Sequence, residues 1–362
     1  MTKPLSLRAS VHNPDGKPGD PAAYAGDDSF AFVRVELRDT EGQTGNGFTG
    51  RFLAPQVAHF LNHTLAGTVT DDGPEQIATL AARYNPRAMT GVVTSAFSAL
   101  EIALIDLQTK RAGVSVAQHL GNQRQAAPVH VTCGFAALAT DALVTTCAQE
   151  IEAGARGVKV LIGQKGRSPL EDAARLKAVR NAIGPEAELI ADANCRMDLD
   201  TALVFARAVA DLNLAWLEEP VKRNDRHALS KLASENIVPL GAGQMEQSTD
   251  RFELLAEAGV NVLQPNAVFA GGIHPALEIA RNAAARGLKV SPAGGWDLVN
   301  LHWVCGGLQE GAVELHRAQA RIARLLRPDG LTLQNGTLSV PDAPGFGFDI
   351  DEEAIAACCT YA

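Results

Sequence analysis

The stretch that decides the fold is ELIADANCRMDLDTALVFARAVADLNLAWLEEP, residues 188–220. It begins with a short apolar run at 188–192, continues through a helix-like stretch, and ends with a second apolar run at 215–219. Short buried strands that alternate with helices are typical of parallel βαβ units. The first run ends in Asp192 and the second reaches Glu218. The stretch therefore predicts two parallel strands that place carboxylates at one edge of a sheet.

The same rhythm recurs on both sides of this stretch. Eight short apolar runs follow one another, and each is followed by a helix-like segment, several of them rich in Ala. Eight alternations favour a closed parallel barrel over an open doubly wound sheet, which usually has fewer strands and a Gly-rich phosphate motif after the first one. We therefore predict an α/β fold with a (β/α)8-type, TIM-like barrel at residues 126–328. The predicted strands are 129–133, 157–162, 188–192, 215–219, 238–241, 261–265, 288–292 and 312–316.

The two ends of the chain follow different patterns. Within residues 1–125, a strand at 31–37 followed by the turn residues DTEGQTGNG at 39–47 predicts a hairpin. Apolar residues at helical spacing over 91–112 predict a long helix that ends at Gly113. We interpret this part as an α+β capping domain. The C-terminal segment, 329–362, is rich in turn residues with one strand-like run, LSV, and is expected to pack back against the cap.

Composition excludes several classes of function. Hydrophobic residues make up 46% and charged residues 20% of the chain, as in ordinary soluble proteins. The net charge of -9, with no basic stretch, argues against nucleic-acid binding. We find no apolar run of the ~18–20 residues that would span a bilayer and no signal peptide, so we expect a cytoplasmic protein without a membrane partner. The six cysteines form no CxxC pair, which favours a reduced compartment without structural zinc.

Three strand ends carry candidate metal ligands. Asp192, Glu218 and Gln244 are spaced by 26 residues and again by 26, so one strand–helix unit separates each from the next. Neighbouring strands of a barrel would bring all three side chains to one point. Hard cations such as Mg²⁺ take oxygen ligands and keep several waters, whose positions a substrate can occupy. The alternative is that these side chains are helix N-caps or solvated loop groups.

The order of these motifs resembles the enolase superfamily and, within it, the mandelate racemase and muconate lactonizing group. The likeness runs almost end to end. It rests on the cap helix at 99–121, the KxK-type strand GVKVLIG at 157–163, ADAN at 191–194, LEEP at 217–220, LQPNAVFAGGI at 263–273 and VPDAPGFG at 340–347.

The resemblance implies a shared chemistry. In that chemistry Mg²⁺ binds the carboxylate of a small-molecule substrate, a base removes the α-proton, and the metal stabilises the enolate. Asp192 and Glu218 match the first two metal ligands of the family. Asn194 matches a substrate contact, and Glu314 matches an acidic residue of the eighth strand that hydrogen-bonds the substrate carboxylate. The resemblance also implies a homo-oligomer.

The third metal ligand departs from the family pattern. Where the family has the Glu of a GE motif, this chain has Gly243 and Gln244. Glutamine keeps a carbonyl oxygen but loses the charge, so we expect weaker metal binding. Glu246, two residues further on, is the alternative ligand if the loop shifts.

The acid–base positions depart further. Lys159 holds the first place of the KxK motif, but Leu161 holds the second, where the family has its base. On the opposite face Asn266 replaces the Asp of an Asp–His dyad, and Ala293 replaces the His. Leu161 and Ala293 cannot accept a proton, and Asn266 is no base at neutral pH, so we assign it to substrate binding.

Lys159 is therefore the candidate catalytic residue. It is either a cation that neutralises Asp192 and the substrate carboxylate, or a base whose pKa is lowered by burial. Asp297 and His302 are further acid–base candidates, although the helical position of His302 favours a structural role. Cys133 and Cys195 also lie at strand ends, but no His is placed in the sequence to activate them, so we interpret them as inert small side chains.

These observations favour an enzyme over a binding protein. Most of the metal site and the cap segment GNGFTGRF at 45–52 are present, and we expect that segment to form one wall of the site. Racemisation needs two opposed bases, whereas dehydration can use one acid–base group with the metal as Lewis acid. We predict a dehydratase or isomerase acting on a small hydroxy-carboxylate or sugar acid. The alternatives are a cycloisomerase of a sugar-acid lactone and a catalytically degenerate binding or regulatory protein of the same fold.

Overall fold

A computed structural model describes residues 3–14, 30–84 and 91–362. Its strands form one antiparallel and one curled, mainly parallel sheet. The strands are β1 Ser6–His12, β2 Phe32–Arg38, β3 Thr44–Thr49, β4 Ala126–Gly134, β5 Gly157–Leu161, β6 Glu188–Asp192, β7 Trp216–Glu218, β8 Leu240–Ala242, β9 Val262–Leu263, β10 Lys289–Val290, β11 Val313–His316, β12 Thr337–Ser339 and β13 Cys359–Tyr361.

Helices connect the strands of the parallel sheet. The helices are α1 Ala54–Phe60, α2 Gln76–Ala81, α3 Val92–Ala112, α4 Val116–His119, α5 Thr140–Glu152, α6 Pro169–Ile183, α7 Leu199–Ala208, α8 Arg226–Ser234, α9 Thr249–Glu257, α10 Ile273–Ala285, α11 Asp297–Gly307, α12 Ala320–Leu326 and α13 Glu352–Ala357. One α-helix, from α5 to α11, lies between each pair of successive strands from β4 to β11.

The eight parallel strands form the predicted barrel. Strands β4 to β10 pair in chain order, and β11 returns to pair with β4. No ladder joins β10 to β11 among the described residues, but the two strands approach closely there. A Cβ atom added at Gly311 would lie 3.3 Å from the carbonyl oxygen of Val290. The (β/α)8-type fold and all eight predicted strands are confirmed, with ends that shift by up to three residues.

The inside of the barrel has an apolar floor below a polar mouth. Ile190, Trp216 and Val262 form a separate buried cluster within the sheet. Space for the Trp216 indole comes from Gly241 on the next strand, where an added Cβ would lie 2.3 Å from the ring. The indole nitrogen donates to Glu218, 3.0 Å away, so the floor contacts the first polar layer.

The cap consists of the antiparallel sheet β13–β1–β2–β3 packed on α3. The predicted hairpin is present, but β3 starts at Thr44, inside the stretch expected to be turn, and the segment 45–52 is mostly strand. Gly45 and Gly47 explain this difference. A Cβ at Gly47 would lie 1.9 Å from the carbonyl oxygen of Ala99, so these glycines allow the backbones of β3 and α3 to touch.

The long helix α3 ends at Gly113, as predicted, with that glycine in the left-handed conformation. By length and apolar character α3 could also cross a membrane. The prediction from the sequence did not include it, because polar residues interrupt its apolar ones. However, 83% of its most apolar window is buried inside the protein. It also carries the buried carboxylates Glu101 and Asp106. The helix is the core helix of the cap.

The cap lies over the carboxyl ends of β9 and β10. Thr49, at the end of β3, donates to the carbonyl of Val268, 2.6 Å away. Glu101 on α3 accepts from the backbone N–H groups of Ile273 and His274 at the start of α10. A carboxylate from the cap thus satisfies the open N–H groups of a barrel helix. This contact fixes the cap over one side of the barrel mouth.

The C-terminal segment contacts both parts of the molecule. Its predicted LSV strand, β12, pairs with the start of β4 on the barrel rather than with the cap. The last strand, β13, was not predicted and pairs with β1. Between them, the backbone N–H of Phe346 donates to Asp106 of α3, 3.1 Å away.

We predict that Asp106→Ala destabilises the protein strongly. The Asp106 carboxylate is fully buried and accepts from the backbone N–H groups of Asn46 and Phe346 and from Lys110. Removal would leave buried donors without partners and lower the free energy of unfolding by about 3 kcal/mol. Urea denaturation would measure the change, with the exposed Asp329→Ala as control. A loss of stability no larger than that of the control would contradict this role.

Candidate active site at the barrel mouth

The strand ends bring the predicted charged residues together. Asp192 and Glu218 lie opposite each other in the β6–β7 ladder. Lys159 comes from β5, the neighbouring strand on the other side of β6. Gln244 follows β8 and Glu314 lies on β11. All five side chains are buried.

Lys159 lies at the centre of this group. Its Nζ atom is 2.6 Å from Glu218, 2.7 Å from Glu314 and 3.7 Å from Asp192. Burial alone would lower the pKa of the Lys159 ammonium, but the three carboxylates outweigh burial and raise that pKa above its ordinary value. The side chain is therefore a cation in this arrangement, which favours the predicted clamp over the predicted base.

Both oxygens of Glu218 have donors. Its Oε1 accepts from Lys159, and its Oε2 accepts from Trp216 at 3.0 Å and from Gln264 at 2.7 Å. Gln264 was not among the predicted site residues, although it lies directly after β9 and shares a face with Asn266. These bonds hold the carboxylate of Glu218 in one orientation.

Asp192 has a weaker set of partners. One oxygen accepts from the backbone N–H of Asn194 at 2.8 Å, and the other is 3.7 Å from Lys159. Burial and the nearby charge of Glu218 raise the pKa of Asp192 well above its ordinary value. A raised carboxyl pKa beside a second carboxylate means that an added cation would stabilise the ionised form.

Gln244 is held by a carboxylate that the sequence analysis did not assign. Its Nε2 donates to Glu219, 2.8 Å away. Burial raises the pKa of Glu219, while hydrogen bonds from Gln244 and Asn224 act in the opposite direction. Glu246, the alternative third ligand, is paired with Arg251 at 2.9 Å and accepts from Asn224 at 3.3 Å. These partners favour Gln244 over Glu246 as the third oxygen.

The donor set fits a hard divalent cation. No cluster of three or more His, Cys, Asp or Glu side chains is arranged as a metal site among the described residues. The available set is two carboxylates, Asp192 and Glu218, with the amide oxygen of Gln244. Mg²⁺ is often held by one or two carboxylates and keeps several waters, so this set suits it. Lys159 already contacts Glu218, so the ammonium and a metal ion would share these carboxylates.

The three residues assigned to substrate binding differ in their surroundings. Asn194 is exposed at the rim, in a left-handed backbone conformation. Asn266 is buried and donates to the carbonyls of Ala293 and Gly295, so its amide ties two loops together. Glu314 is also fully engaged, by Lys159, by Thr132 and by the backbone N–H of Gly295.

The charge of Glu314 is fixed by its neighbours. Burial would raise the pKa of this carboxyl, but Lys159, His316 and the hydrogen bonds to Lys159 and Thr132 lower it to about 2. Glu314 is therefore ionised at neutral pH. Because its partners include Lys159, it holds that ammonium in the centre of the mouth.

Most other acid–base candidates have structural partners. His302 accepts from the backbone N–H of Ala117 and contacts the carbonyl of Phe346, and burial lowers its pKa to about 4. Burial raises the pKa of Asp297 to about 6. Cys133 lies 3.9 Å from the sulfur of Cys147, and that contact, together with burial, raises its thiol pKa. Neither His302 nor Cys133 provides a proton acceptor to the mouth.

One further histidine was missed. His316 ends β11 two residues after Glu314. Because side chains alternate along a strand, the two residues lie on the same face. The period of two within 312–316 was the signal that could have identified His316 from the sequence.

Family models match both halves of the chain. Residues 20–121 match the mandelate racemase / muconate lactonizing enzyme N-terminal domain, and residues 142–354 match an enolase C-terminal domain-like model. The chain belongs to the enolase superfamily. Within it, the mandelate racemase and muconate lactonizing group indicated by the sequence is confirmed.

Relatives of this enolase-superfamily chain include enzymes of two reaction classes. The L-talarate/galactarate dehydratase of Salmonella typhimurium is 30% identical over 331 residues, which cover 90% of this chain and 81% of the relative. The D-galactarolactone cycloisomerase of Agrobacterium fabrum is 25% identical, with 91% of each chain covered. The predicted lyase or isomerase class is confirmed.

A solved structure of similar architecture carries a metal and an acid. The L-talarate dehydratase of Polaromonas sp. JS666, complexed with Mg and L-glucarate, superposes with a TM-score of 0.83 at 27% identity. The match covers 99% of this chain and 97% of that one. The superfamily fold is therefore preserved over nearly the whole length.

We predict that Gln244→Glu tightens Mg²⁺ binding. A third carboxylate would add negative charge to the site, so the dissociation constant should fall about tenfold, as a charge at this distance implies. The same change should destabilise the metal-free protein, because the new carboxylate would face Glu219. Titration calorimetry on the chelator-stripped wild type and on chelator-stripped Gln244→Glu would measure the two dissociation constants. Glu246→Gln is the matched control and should leave Mg²⁺ binding nearly unchanged, whereas a clear loss of affinity in that variant would identify Glu246 as the third ligand instead.

Proposed function

We propose that this protein is a Mg²⁺-dependent dehydratase of sugar acids. The observation that carries the proposal is the buried group of Lys159 with Asp192, Glu218 and Glu314 at the barrel mouth. A degenerate binding protein would not need three carboxylates and an ammonium held out of water, since burying charges is costly. Dehydratases among the relatives support the same reaction.

The residues of the barrel mouth have separate roles in binding the metal and the substrate. Asp192, Glu218 and Gln244 would hold Mg²⁺, which supplies Lewis-acid stabilisation of the negative charge that develops when the α-proton leaves. Lys159 would bind the substrate carboxylate as a fixed cation. Glu314 keeps Lys159 protonated and in place. Together these groups neutralise charge in a site from which the cap excludes water.

The missing bases argue for dehydration over racemisation. Leu161 lies opposite Asp192 in the β5–β6 ladder, in the position of the family base. Ala293 is buried on the opposite side, and Asn266 is bonded to loop carbonyls. Inverting a stereocentre needs a proton carrier on each face, but loss of water needs only one group that takes a proton and then returns it.

Cycloisomerisation of a sugar-acid lactone is the second candidate. The D-galactarolactone cycloisomerase among the relatives supports it, and this reaction also requires few acid–base groups. The substrate and the release of water distinguish the two reactions. Dehydration releases water and gives a 2-oxo-3-deoxy acid, whereas the cycloisomerase reaction rearranges the lactone without losing water.

A substrate screen tests the proposal. The protein would be incubated with Mg²⁺ and a panel containing galactarate, L-talarate, glucarate, arabinonate and galactonate, with carbonyl products trapped by semicarbazide. At least one acid should give a 2-oxo-3-deoxy product, and the reaction should stop when a chelator is added. Failure of every acid and of galactarolactone to react would leave the binding-protein alternative.

We predict that substitutions of Lys159 lower the turnover by different amounts. If it acts as a fixed cation, Lys159→Arg keeps the charge and should retain measurable turnover, whereas Lys159→Met should lose about 100-fold or more in kcat/KM. If it acts as a base, the arginine variant should be as inactive as the methionine variant, because guanidinium stays protonated. Steady-state kinetics on the best acid of the panel would separate the roles. Near-normal turnover by Lys159→Met would remove Lys159 from the mechanism.

We also predict that the protein does not racemise mandelate. With no base at position 161 or 293, the α-proton cannot be removed from both faces. Incubation of each enantiomer in heavy water with Mg²⁺, followed by chiral chromatography and NMR, should show no conversion above background. Rapid deuterium exchange into both enantiomers would reveal a base on each face.

A further inference from the structure

His316 is a titratable side chain at the barrel mouth that the proposed function has not used. It ends β11, and Glu314, two residues before it, points into the barrel, where it bonds Lys159 and Thr132. Alternation along the strand places His316 on the same face and one step nearer the rim. The ring therefore lies above the group that would bind the substrate carboxylate.

Aromatic side chains from two directions surround the imidazole. Phe30, which precedes β2 in the cap, lies edge-on with its ring centroid 5.9 Å away. Phe135, which follows β4, lies at 5.9 Å on another side. The Nδ1 atom is buried and has no hydrogen-bond partner in any other described residue. A buried, unpaired ring nitrogen is costly, so its position indicates a group that serves a bound ligand.

The charges around His316 leave it neutral at neutral pH. Burial lowers the pKa of the imidazole, as does the positive charge of Lys159, while Glu314 and Glu218 act in the opposite direction. The net shift is downward, so the ring can accept a proton. Asp297 and Arg317 are the charged groups of the flanking segments, and Arg317 is paired with Glu150.

The other candidates for a proton carrier are committed elsewhere. Lys159 is bonded to two carboxylates. Asp297 accepts from the backbone N–H of Leu298 and lines a cavity between α11 and α12 beside Ile322 and Leu326. His316 is therefore the best-placed neutral base among the described side chains of the mouth.

We propose that His316 is the catalytic acid–base residue of the dehydration. This inference rests on the proposed function. A free nitrogen of the neutral imidazole takes the α-proton, and the C–H electron pair forms the enolate of the substrate carboxylate. The resulting imidazolium donates that proton to the β-hydroxyl, the C–O bond breaks, and water leaves. The enol product then tautomerises to the 2-oxo-3-deoxy acid, and His316 is neutral again.

The test uses the full-length protein with Mg²⁺ and the best acid of the panel. His316→Asn and His316→Gln should lower kcat by about 100- to 10,000-fold, the usual contribution of general acid–base catalysis, while KM changes little. The affinity for Mg²⁺ should be unchanged, because His316 is not among its proposed ligands. The exposed His227→Asn is the matched control and should keep full activity.

A cavity variant adds a readout that a structural role would not give. His316→Ala should regain part of its activity when free imidazole is added, and the gain should follow the concentration of neutral imidazole. In the wild type, the acid limb of kcat/KM should have an apparent pKa below the ordinary histidine value of about 6.5. This last measurement needs no variant and therefore does not depend on how the variants fold.

The outcomes separate the two proposals. If the wild type turns over no acid, the proposed function and the role of His316 both fail. If the wild type is active, and either His316→Gln retains more than about a tenth of its kcat or the acid limb lies above the ordinary histidine value, only the role of His316 fails. Loss of kcat with rescue by imidazole, and with no loss in His227→Asn, supports it.

Discussion

The ammonium of Lys159 balances the buried negative charge on which the barrel mouth depends. Glu218, Glu314 and Asp192 lie within 3.7 Å of it, and water is excluded from all four groups. Without a cation, these carboxylates would repel one another and take up protons, as the raised pKa of Asp192 indicates. The barrel must therefore bring β5, β6, β7 and β11 into one register. The apolar floor at Trp216 and the close approach allowed by Gly241 support that register from below.

The cap is built to cover this charged group at the barrel mouth. Glycines of β3 let the sheet touch α3, and Glu101 of α3 then holds the start of α10. Phe30 of the cap reaches His316, and Phe48 stacks on Trp296 with ring centroids 6.0 Å apart. The cap therefore closes the polar mouth with aromatic and apolar groups. In such a site, charges act more strongly than they would in water.

The sequence predicted the barrel well because its strands are short apolar runs, and their ends gave Asp192, Glu218 and Lys159 directly. It did not predict β13, whose pairing partner β1 lies at the opposite end of the chain, and it also missed β1, which pairs with both β13 and β2. It extended the turn before β3 too far along the chain, because Gly45 and Gly47 resemble turn residues. In the structure these glycines belong to β3, where close contact with α3 requires them. The hydrogen bonds of Asn266 to Ala293 and Gly295 depend on where two loops meet in the folded chain. The spacing of apolar residues in the sequence does not predict such contacts. His316 was within reach of the period-two pattern, but it matches none of the family motifs that directed attention to Glu314.

In the proposed site, Lys159 and Mg²⁺ share the carboxylates of Asp192 and Glu218. Calorimetric titration of Mg²⁺ into chelator-stripped wild type, Lys159→Arg and Lys159→Met at one mildly alkaline pH tests that arrangement without any substrate. Removing a positive charge a few ångströms from the metal should tighten Mg²⁺ binding about tenfold or more in Lys159→Met, while Lys159→Arg, which keeps the charge, should not gain. Equal or weaker binding by Lys159→Met would show that the metal does not share Asp192 and Glu218 with the ammonium, and the proposed arrangement of this site would be wrong.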